Sequence, residues 1–182
     1  MPETKYIADL HLMDPTSLDW RKHLNLSLEE YLVFLKDKWN QFTSPDDIVY
    51  IVGDLGYPVK VAQDTIRALN GHKILVLGNH DDSWIPFVHT SGVFEGCHES
   101  INQNGIYIRH IPELEDSVKC NYFIHGHHHQ YTSYEMLNCL IQYANDVHRY
   151  NCAADLIGHK PCTIQELALK KEELLERCRM SD

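Results

Sequence analysis

The stretch Lys73-Ile74-Leu75-Val76-Leu77-Gly78-Asn79-His80-Asp81 decides the fold. Its first part is short and aliphatic and runs directly into a Gly-Asn turn. Such a run reads as a buried strand that delivers polar side chains at its C-terminal end. Gly78 permits a backbone turn that other residues resist. Asn79 offers a neutral oxygen to a metal, and His80 offers a titratable ring. Standing alone, these last four residues are an ordinary turn with a solvated histidine. What lifts them above that is repetition: the same order, strand and then metal-type side chains, recurs along the chain.

Upstream, Ile48-Val49-Tyr50-Ile51-Val52 is a second buried strand and ends at Gly53-Asp54. Lys5-Tyr6-Ile7-Ala8 is the first, and ends at Asp9-Leu10-His11. Ser27-Leu28-Glu29-Glu30 is a capping box that opens a helix. Leu28, Tyr31, Leu32, Leu35, Trp39 and Phe42 share one face of it, and Ser44-Pro45 breaks it. A second helix is predicted over 59–69, stopped by Asn70-Gly71. The polar stretch 13–25 reads as a loop.

Downstream the pattern changes. Residues 84–89 read as a short helix. Asn104-Gly105 between Ile101-Asn102-Gln103 and Ile106-Tyr107-Ile108 is a strong hairpin signal, and its second strand leads to His110. Cys120-Asn121-Tyr122-Phe123-Ile124 is another apolar run, followed by His125-Gly126-His127-His128-His129. Helix and strand both fit 131–147, and 149–153 is predicted as one more strand. Thr163-Ile164-Gln165-Glu166 is a second capping box, opening a helix to about residue 177.

The chain has 182 residues, which fits one domain, 1–182, with a substantial core. No signal peptide or membrane-spanning run is legible. Six cysteines without a Cys-x-x-Cys pair suit reduced thiols and a cytoplasmic setting. The net charge of -10 excludes a broad electrostatic grip on nucleic acid, although bound cations can invert the field locally. Thirteen histidines are the unusual entry in the composition.

Side chains at the strand ends are then Asp9, His11, Asp54, Asn79, His80, His110, His127 and His129. Carboxylate and imidazole suit divalent Zn, Mn, Fe, Ni and Co. In extended segments residues i and i+2 point to one side, so Asp9 with His11, and His127 with His129, are each expected to reach one cluster while His128 points away. His125 reads as a core-edge hydrogen bonder, or as a residue behind the ligands. His23, His72, His89, His98, His148 and His159 read as surface or locally satisfied residues. Tyr131, Tyr134 and Tyr143 read as core or rim, with base stacking as the alternative. Glu166, Glu172, Glu173 and Glu176 read as a solvated helix face. Asp81 reads as a surface turn residue or as a group orienting His80.

Motif by motif, the chain resembles the calcineurin-like metallophosphoesterases. The resemblance rests on Asp9-x-His11, Gly53-Asp54, Gly78-Asn79-His80-Asp81, His110 before Pro112, and Gly126-His127-His128-His129, in the family's order. Asn151-Cys152-Ala153-Ala154-Asp155 with Lys160-Pro161 is similar to the tail of small bacterial and phage-type members. The resemblance implies an α/β (α+β) fold: a four-layer α/β/β/α sandwich of two mixed β-sheets flanked by helices. It implies two divalent metal ions, manganese first among Mn, Fe, Ni, Co and Zn. Asp9, His11 and His129 would hold one metal. Asn79, His110 and His127 would hold the other, with Asp54 bridging and His80 catalytic, facing the substrate phosphate.

The implied activity is that of a hydrolase, a phosphatase or phosphodiesterase, in which a metal-bound hydroxide attacks phosphorus and His80 stabilises or protonates the leaving oxygen. Two dications against two aspartates would leave the site cationic and attractive to phosphate. The implied partner is a small phosphate ester, a nucleotide included. Leu55-Gly56-Tyr57 after Asp54, and His80-Asp81 after Asn79, depart from the protein serine/threonine phosphatase pattern and argue against protein dephosphorylation. Short spacings between motifs leave no room for a cap domain. Two alternatives stand beside this enzyme: a non-catalytic metal-binding scaffold of the same fold, and a nuclease acting on strand ends.

Overall fold

Residues 1–114, 117–129, 146 and 148–179 are described in the structure, a computed structural model. Four strands form the first sheet: β1 (Thr4–Ile7), β2 (Ile48–Val52), β3 (His72–Val76) and β4 (Phe94–His98). They lie in chain order, and every neighbouring pair is parallel. Parallel neighbours need crossovers. These contain α1 (Leu18–Arg21) and α2 (Leu28–Phe42), then α3 (Lys60–Arg67), then α4 (Ile85–Thr90). In register, Ile7 faces Ile51 and Ile51 faces Leu75, and all three are fully buried.

The second sheet holds β5 (Ile101–Gln103), β6 (Ile106–Ile108), β7 (Tyr122–His125) and β8 (Arg149–Asn151), also in chain order. β5 and β6 are antiparallel and the other pairs parallel. Asn104 at φ 54° and Gly105 at φ 77° turn the hairpin with both central residues left-handed, as a primed turn requires. Two short connections tie β1 and its extension to the C-terminal part of the described chain. Ala8 donates to Cys152 O at 2.8 Å and accepts from Ala154 N at 2.9 Å, and Tyr6 bridges Cys162. α5 (Ala154–Ile157) and α6 (Ile164–Arg179) complete the described elements.

The two-sheet α/β architecture flanked by helices is therefore present. One detail differs. Only the second sheet is mixed; the four strands of the first are all parallel, because each of its connections is a crossover long enough to return the chain to the same end.

Local signals explain most elements. Ser27 accepts from Glu30 N while Glu30 accepts from Ser27 N, so the capping box forms. Tyr31, Leu32, Leu35 and Trp39 are buried along α2, and the Trp39 indole donates to Asn70 O at 2.9 Å. Phe42 is exposed, with the Lys160 ammonium 4.6 Å above its ring. Thr163 and Glu166 close the second box.

Two stretches depart from the sequence reading. Residues 15–24 are helical throughout: a 3-10 turn at Pro15–Ser17, α1, and a second turn at Lys22–Leu24. Asp14 accepts from Thr16 N at 3.0 Å and Pro15 starts the turn, a local start signal without the apolar repeat that marks longer helices. β4 was not expected, since Phe-Glu-Gly-Cys-His has no apolar alternation. It pairs as an edge strand, and its register shifts opposite Lys73 and Ile74. Residues 131–145 and 147, with Tyr131, Tyr134 and Tyr143, lie outside the described residues. Among the described residues, Cys97, Cys120, Cys152 and Cys162 are unbridged, and no helix is long and apolar enough to cross a membrane.

His159 is 3% exposed, its Nδ1 is 3.0 Å from the Tyr31 hydroxyl, and its ring packs edge-on to Phe34. Burial, with the Arg21 charge, pushes its pKa down to about 3. The folded value lies below the ordinary 6.5, so the stabilisation is present above that pH and is lost as pH falls toward 3. Between pH 7 and 5 this one group should remove about 2 kcal/mol of stability. Denaturant unfolding of His159→Asn, which keeps a residue tolerant of the local φ of 58°, should show a correspondingly shallower acid loss than the wild type.

Candidate metal centre

Beyond β1 and β2 the backbone does not stay extended. Asp9 and His11 have φ of 58° and 39°, and Asp54 has 55°. Such left-handed residues are rare and costly outside glycine, and they cluster where surroundings over-determine them. Here the two loops zip together. Asp9 N donates to Gly53 O, His11 N to Asp54 O, Leu12 N to Leu55 O and Tyr57 N to Leu12 O, at 2.8 to 2.9 Å. Gly53, at φ 82°, carries no Cβ because one would sit 2.5 Å from His110 Nδ1.

Two buried charged residues lock this zipper. The Arg21 guanidinium donates to the carbonyls of Asp9 (3.1 Å), Leu10 (2.6 Å) and His11 (3.3 Å), and stacks 3.9 Å over the Tyr31 ring. Asp81, fully buried, accepts from the backbone N–H of Asp54, Leu55 and Gly78 at 2.8 to 2.9 Å. Burial raises its pKa against those hydrogen bonds. Asp81 is thus neither a surface turn residue nor a partner of the His80 ring. It ties the loop after β2 to the loop after β3.

The side chains that emerge form two donor groups. Asp9, His11 and His129 make one, and Asp54, His110 and His127 the other; within each, one ligand atom per residue lies within 4.8 Å of the others. Asp54 Oδ2 is 3.3 Å from His110 Nε2 and 3.7 Å from His11 Nε2, so it stands between the groups. His127 and His129 fall in different groups. Simple i, i+2 alternation therefore does not describe this loop, in which His127 has φ of 73°. The His127 backbone N–H instead donates to Asp9 Oδ2 at 2.9 Å.

Ring tautomers follow from the partners of Nδ1. In His110 it meets Val52 O at 2.8 Å, an oxygen that only accepts. In His11 and His129 it meets carboxylates, Asp14 at 3.0 Å and Asp155 at 3.1 Å. Nδ1–H donates in each ring, which turns Nε2 toward the aspartates. His11 and His129 then point Nε2 at one another across 3.1 Å, 3.8 and 3.4 Å from Asp9 Oδ1, a buried oxygen with no hydrogen-bond partner. One proton shared across that pair, or a cation in its place, satisfies both nitrogens. The donor set fits a borderline divalent cation.

Burial pushes Asp9 up, but the nearby His11, His110 and His129 rings hold it well below the usual carboxylate range. Burial likewise opposes the charged form of His110, but the Asp54 hydrogen bond and the charges of Asp9 and Asp54 raise it to about 9. His127 is pushed down by burial and by His110.

The remaining expected residues sit around these groups. His80 is exposed, lines the cleft with His11, Asp54, His127 and His129, and has its ring 6.1 Å from that of His11. Its backbone N–H donates to Asp54 Oδ1 at 3.1 Å. Asn79 is exposed and lines an adjoining cavity with Gly78, Tyr107 and Arg109. His125 is fully buried with Nδ1 2.9 Å from Gly126 O, the core-edge bond expected of it. His128 belongs to neither donor group.

Asp14, Arg21 and Asp155 are the residues sequence reading missed. Asp155 lies inside the tail stretch 151–155 that carried part of the resemblance. Asn151 holds the histidine loop as well, donating to His128 O at 2.8 Å.

No known family's sequence model matches this chain. MJ1445 of Methanocaldococcus jannaschii, described as an uncharacterized protein, is 26% identical over 166 residues, covering 87% of this chain and 85% of that one. The crystal structure of AQ665 from Aquifex aeolicus, a protein of unknown function, superposes with a TM-score of 0.67 at 18% identity, over 91% of this chain and 97% of that one. At that identity the likeness concerns fold alone. Fold and site together define an α/β two-sheet protein whose buried aspartates and histidines could hold metal ions.

Cation binding must displace protons from this cluster. His110, raised to about 9, is protonated near neutrality in the metal-free protein. Calorimetric titration with a divalent cation should show affinity rising about tenfold per pH unit for each proton released. Asp155→Ala, which frees the His129 ring, should weaken binding by about 10- to 100-fold at fixed pH.

Proposed function

We propose that the chain is a calcineurin-like metallophosphoesterase that hydrolyses phosphomonoesters or phosphodiesters with two divalent metal ions, manganese foremost. The observation that carries the reading is the position of Asp54 between two Asp/His donor groups, in a cleft that His80 also lines. A single buried binding site would need one such group. Two groups that share a carboxylate suit the clamp used for in-line displacement at phosphorus. Bound there, the cations would supply Lewis acidity toward a phosphoryl oxygen and a water made nucleophilic at neutral pH.

The protein's own part is positioning and proton handling. Asp9, His11 and His129 would hold one cation, and His110 and His127 the other, joined by the Asn79 amide. Asp54 Oδ1 accepts from the His80 N–H, and Asp54 would join the two cations. That same bond fixes the His80 backbone against the bridging carboxylate, while its ring stays at the cleft wall. From there the imidazole can stabilise phosphate charge or give a proton to the leaving oxygen. Two carboxylates against two dications leave the cleft cationic within an acidic protein, which favours a compact phosphate ester over extended nucleic acid.

Exhaustive chelation should abolish turnover and manganese should restore it. His80→Ala should retain both cations and lose kcat by about 10²–10⁴-fold. That loss should be smaller for p-nitrophenyl phosphate, whose leaving group needs little protonation, than for an alkyl phosphate. Asp54→Asn should instead lose metal, as read by elemental analysis. A wild type that binds two cations yet turns over neither p-nitrophenyl phosphate, bis-p-nitrophenyl phosphate nor any cyclic nucleotide would favour the non-catalytic scaffold.

A further inference from the structure

The metal groups account for only part of the cleft. Its volume is about 470 Å³, within the roughly 300–1,000 Å³ typical of small-molecule sites. The rest of its described wall is Thr16, Trp20, Gly56, Tyr57 and Ser83, with Asp14 behind His11. None of these is a lysine or arginine. Among the described residues, a substrate carrying several phosphates would find no cation here beyond the metals. The wall instead offers hydroxyls and aromatic rings, which suit an uncharged leaving group with a flat face.

Tyr57 is the feature that gives this wall a direction. It is 54% exposed, and a lone exposed aromatic is ordinary on a surface. This one is held on a rigid support at the mouth of a polar cleft. Its backbone N–H donates to Leu12 O at 2.8 Å, the last rung of the zipper that carries Asp9, His11 and Asp54. The preceding carbonyl, Gly56 O, accepts from the indole of the fully buried Trp84 at 2.6 Å. Pro58 follows, and its ring confines Tyr57 to extended backbone angles. Trp20, which also lines the cleft, packs 4.5 Å from the His129 ring and edge-on to His11 at 5.4 Å. Its indole therefore belongs to the metal groups, and the Tyr57 face remains for substrate. A fixed backbone beneath an aromatic side chain lowers part of the ordering cost of stacking.

We propose that Tyr57 is a stacking platform for a nucleobase, and that the substrate class is a nucleoside monophosphate ester. This rests on the phosphoesterase reading of the same cleft. In the reaction water's oxygen bonds to phosphorus and the bond from phosphorus to the ribose oxygen breaks. One water proton ends on that ribose oxygen, so nucleoside and phosphate leave. The base does not react; it orients the ester while Tyr57 covers one face.

Adenosine has no ester to cleave, so it separates the subsite from the chemistry. Saturation-transfer NMR on the manganese-free full chain should show the adenine protons receiving magnetisation. Tyr57→Ala should reduce the effect at least fivefold, and Tyr57→Phe should keep it. In manganese-loaded protein, kcat/KM for adenosine 5′-monophosphate should exceed that for ribose 5-phosphate by about tenfold or more, as base–aromatic stacking supplies. Tyr57→Ala should collapse that ratio toward one. An adenine signal equal in wild type and Tyr57→Ala overturns the platform, whatever the activity. A Tyr57-dependent signal without hydrolysis of either ester, of p-nitrophenyl phosphate or of bis-p-nitrophenyl phosphate upholds the platform and overturns the phosphoesterase reading. Hydrolysis of both esters at similar rates, without a Tyr57-dependent signal, does the reverse.

Discussion

The backbone zipper between residues 9–12 and 53–57 is the constraint on which the site depends. It begins where β1 and β2 end and continues their pairing through residues that are not strand-like. Asp9, His11 and Asp54 each accept a left-handed backbone, at a cost on the order of 1–2 kcal/mol apiece for a non-glycine residue. Such strain persists only where neighbours hold it. Arg21 holds one side of the zipper through three carbonyls, and Asp81 holds the other through three N–H groups. Left-handed turns swing the side chains out of the alternating strand pattern and aim them into one volume.

Electrostatics then explain why the cluster is assembled this way. Asp9 and Asp54 are 0% and 2% exposed, and buried carboxylates are tolerated only when paired or coordinated. Each of the three histidines His11, His110 and His129 is turned by an acceptor on Nδ1 so that Nε2 faces the carboxylates. A neutral core would not require this orientation. It is what a set of ligands needs, and it is distributed over residues far apart in the chain: Asp14 and Val52 near the first two strands, Asp155 beyond the eighth.

The cleft departs from the protein's overall charge. An acidic chain with its negative groups in the site would repel phosphate, so the proposed chemistry depends on cations that reverse the local field. The neutral, aromatic part of the wall would select by shape and stacking under the proposed reading. Tyr57 owes its position to the zipper itself, so it shares one scaffold with the donor groups.

What the sequence determined by itself were the local features. Strand ends at Asp9, Asp54 and Gly78 follow from short aliphatic runs closed by turn residues. The Asn104-Gly105 hairpin and the Ser27/Glu30 and Thr163/Glu166 caps follow from local hydrogen bonding, which needs only neighbouring residues. Donor types were legible for the same reason, since each lies just past an apolar run. Tertiary structure alone decided the rest. The resemblance divides His127 and His129 between two groups, but the cause of that division lies in the fold: the loop is left-handed at His127, and that conformation is held by a bond to Asp9, 118 residues away. Arg21 looks like an ordinary surface charge in the sequence, and Asp81 and Asp155 are legible there only as members of motifs. Their roles exist only once folding removes water from the carbonyls, amides and ring nitrogens they serve, because a buried polar group must find its partner within the protein.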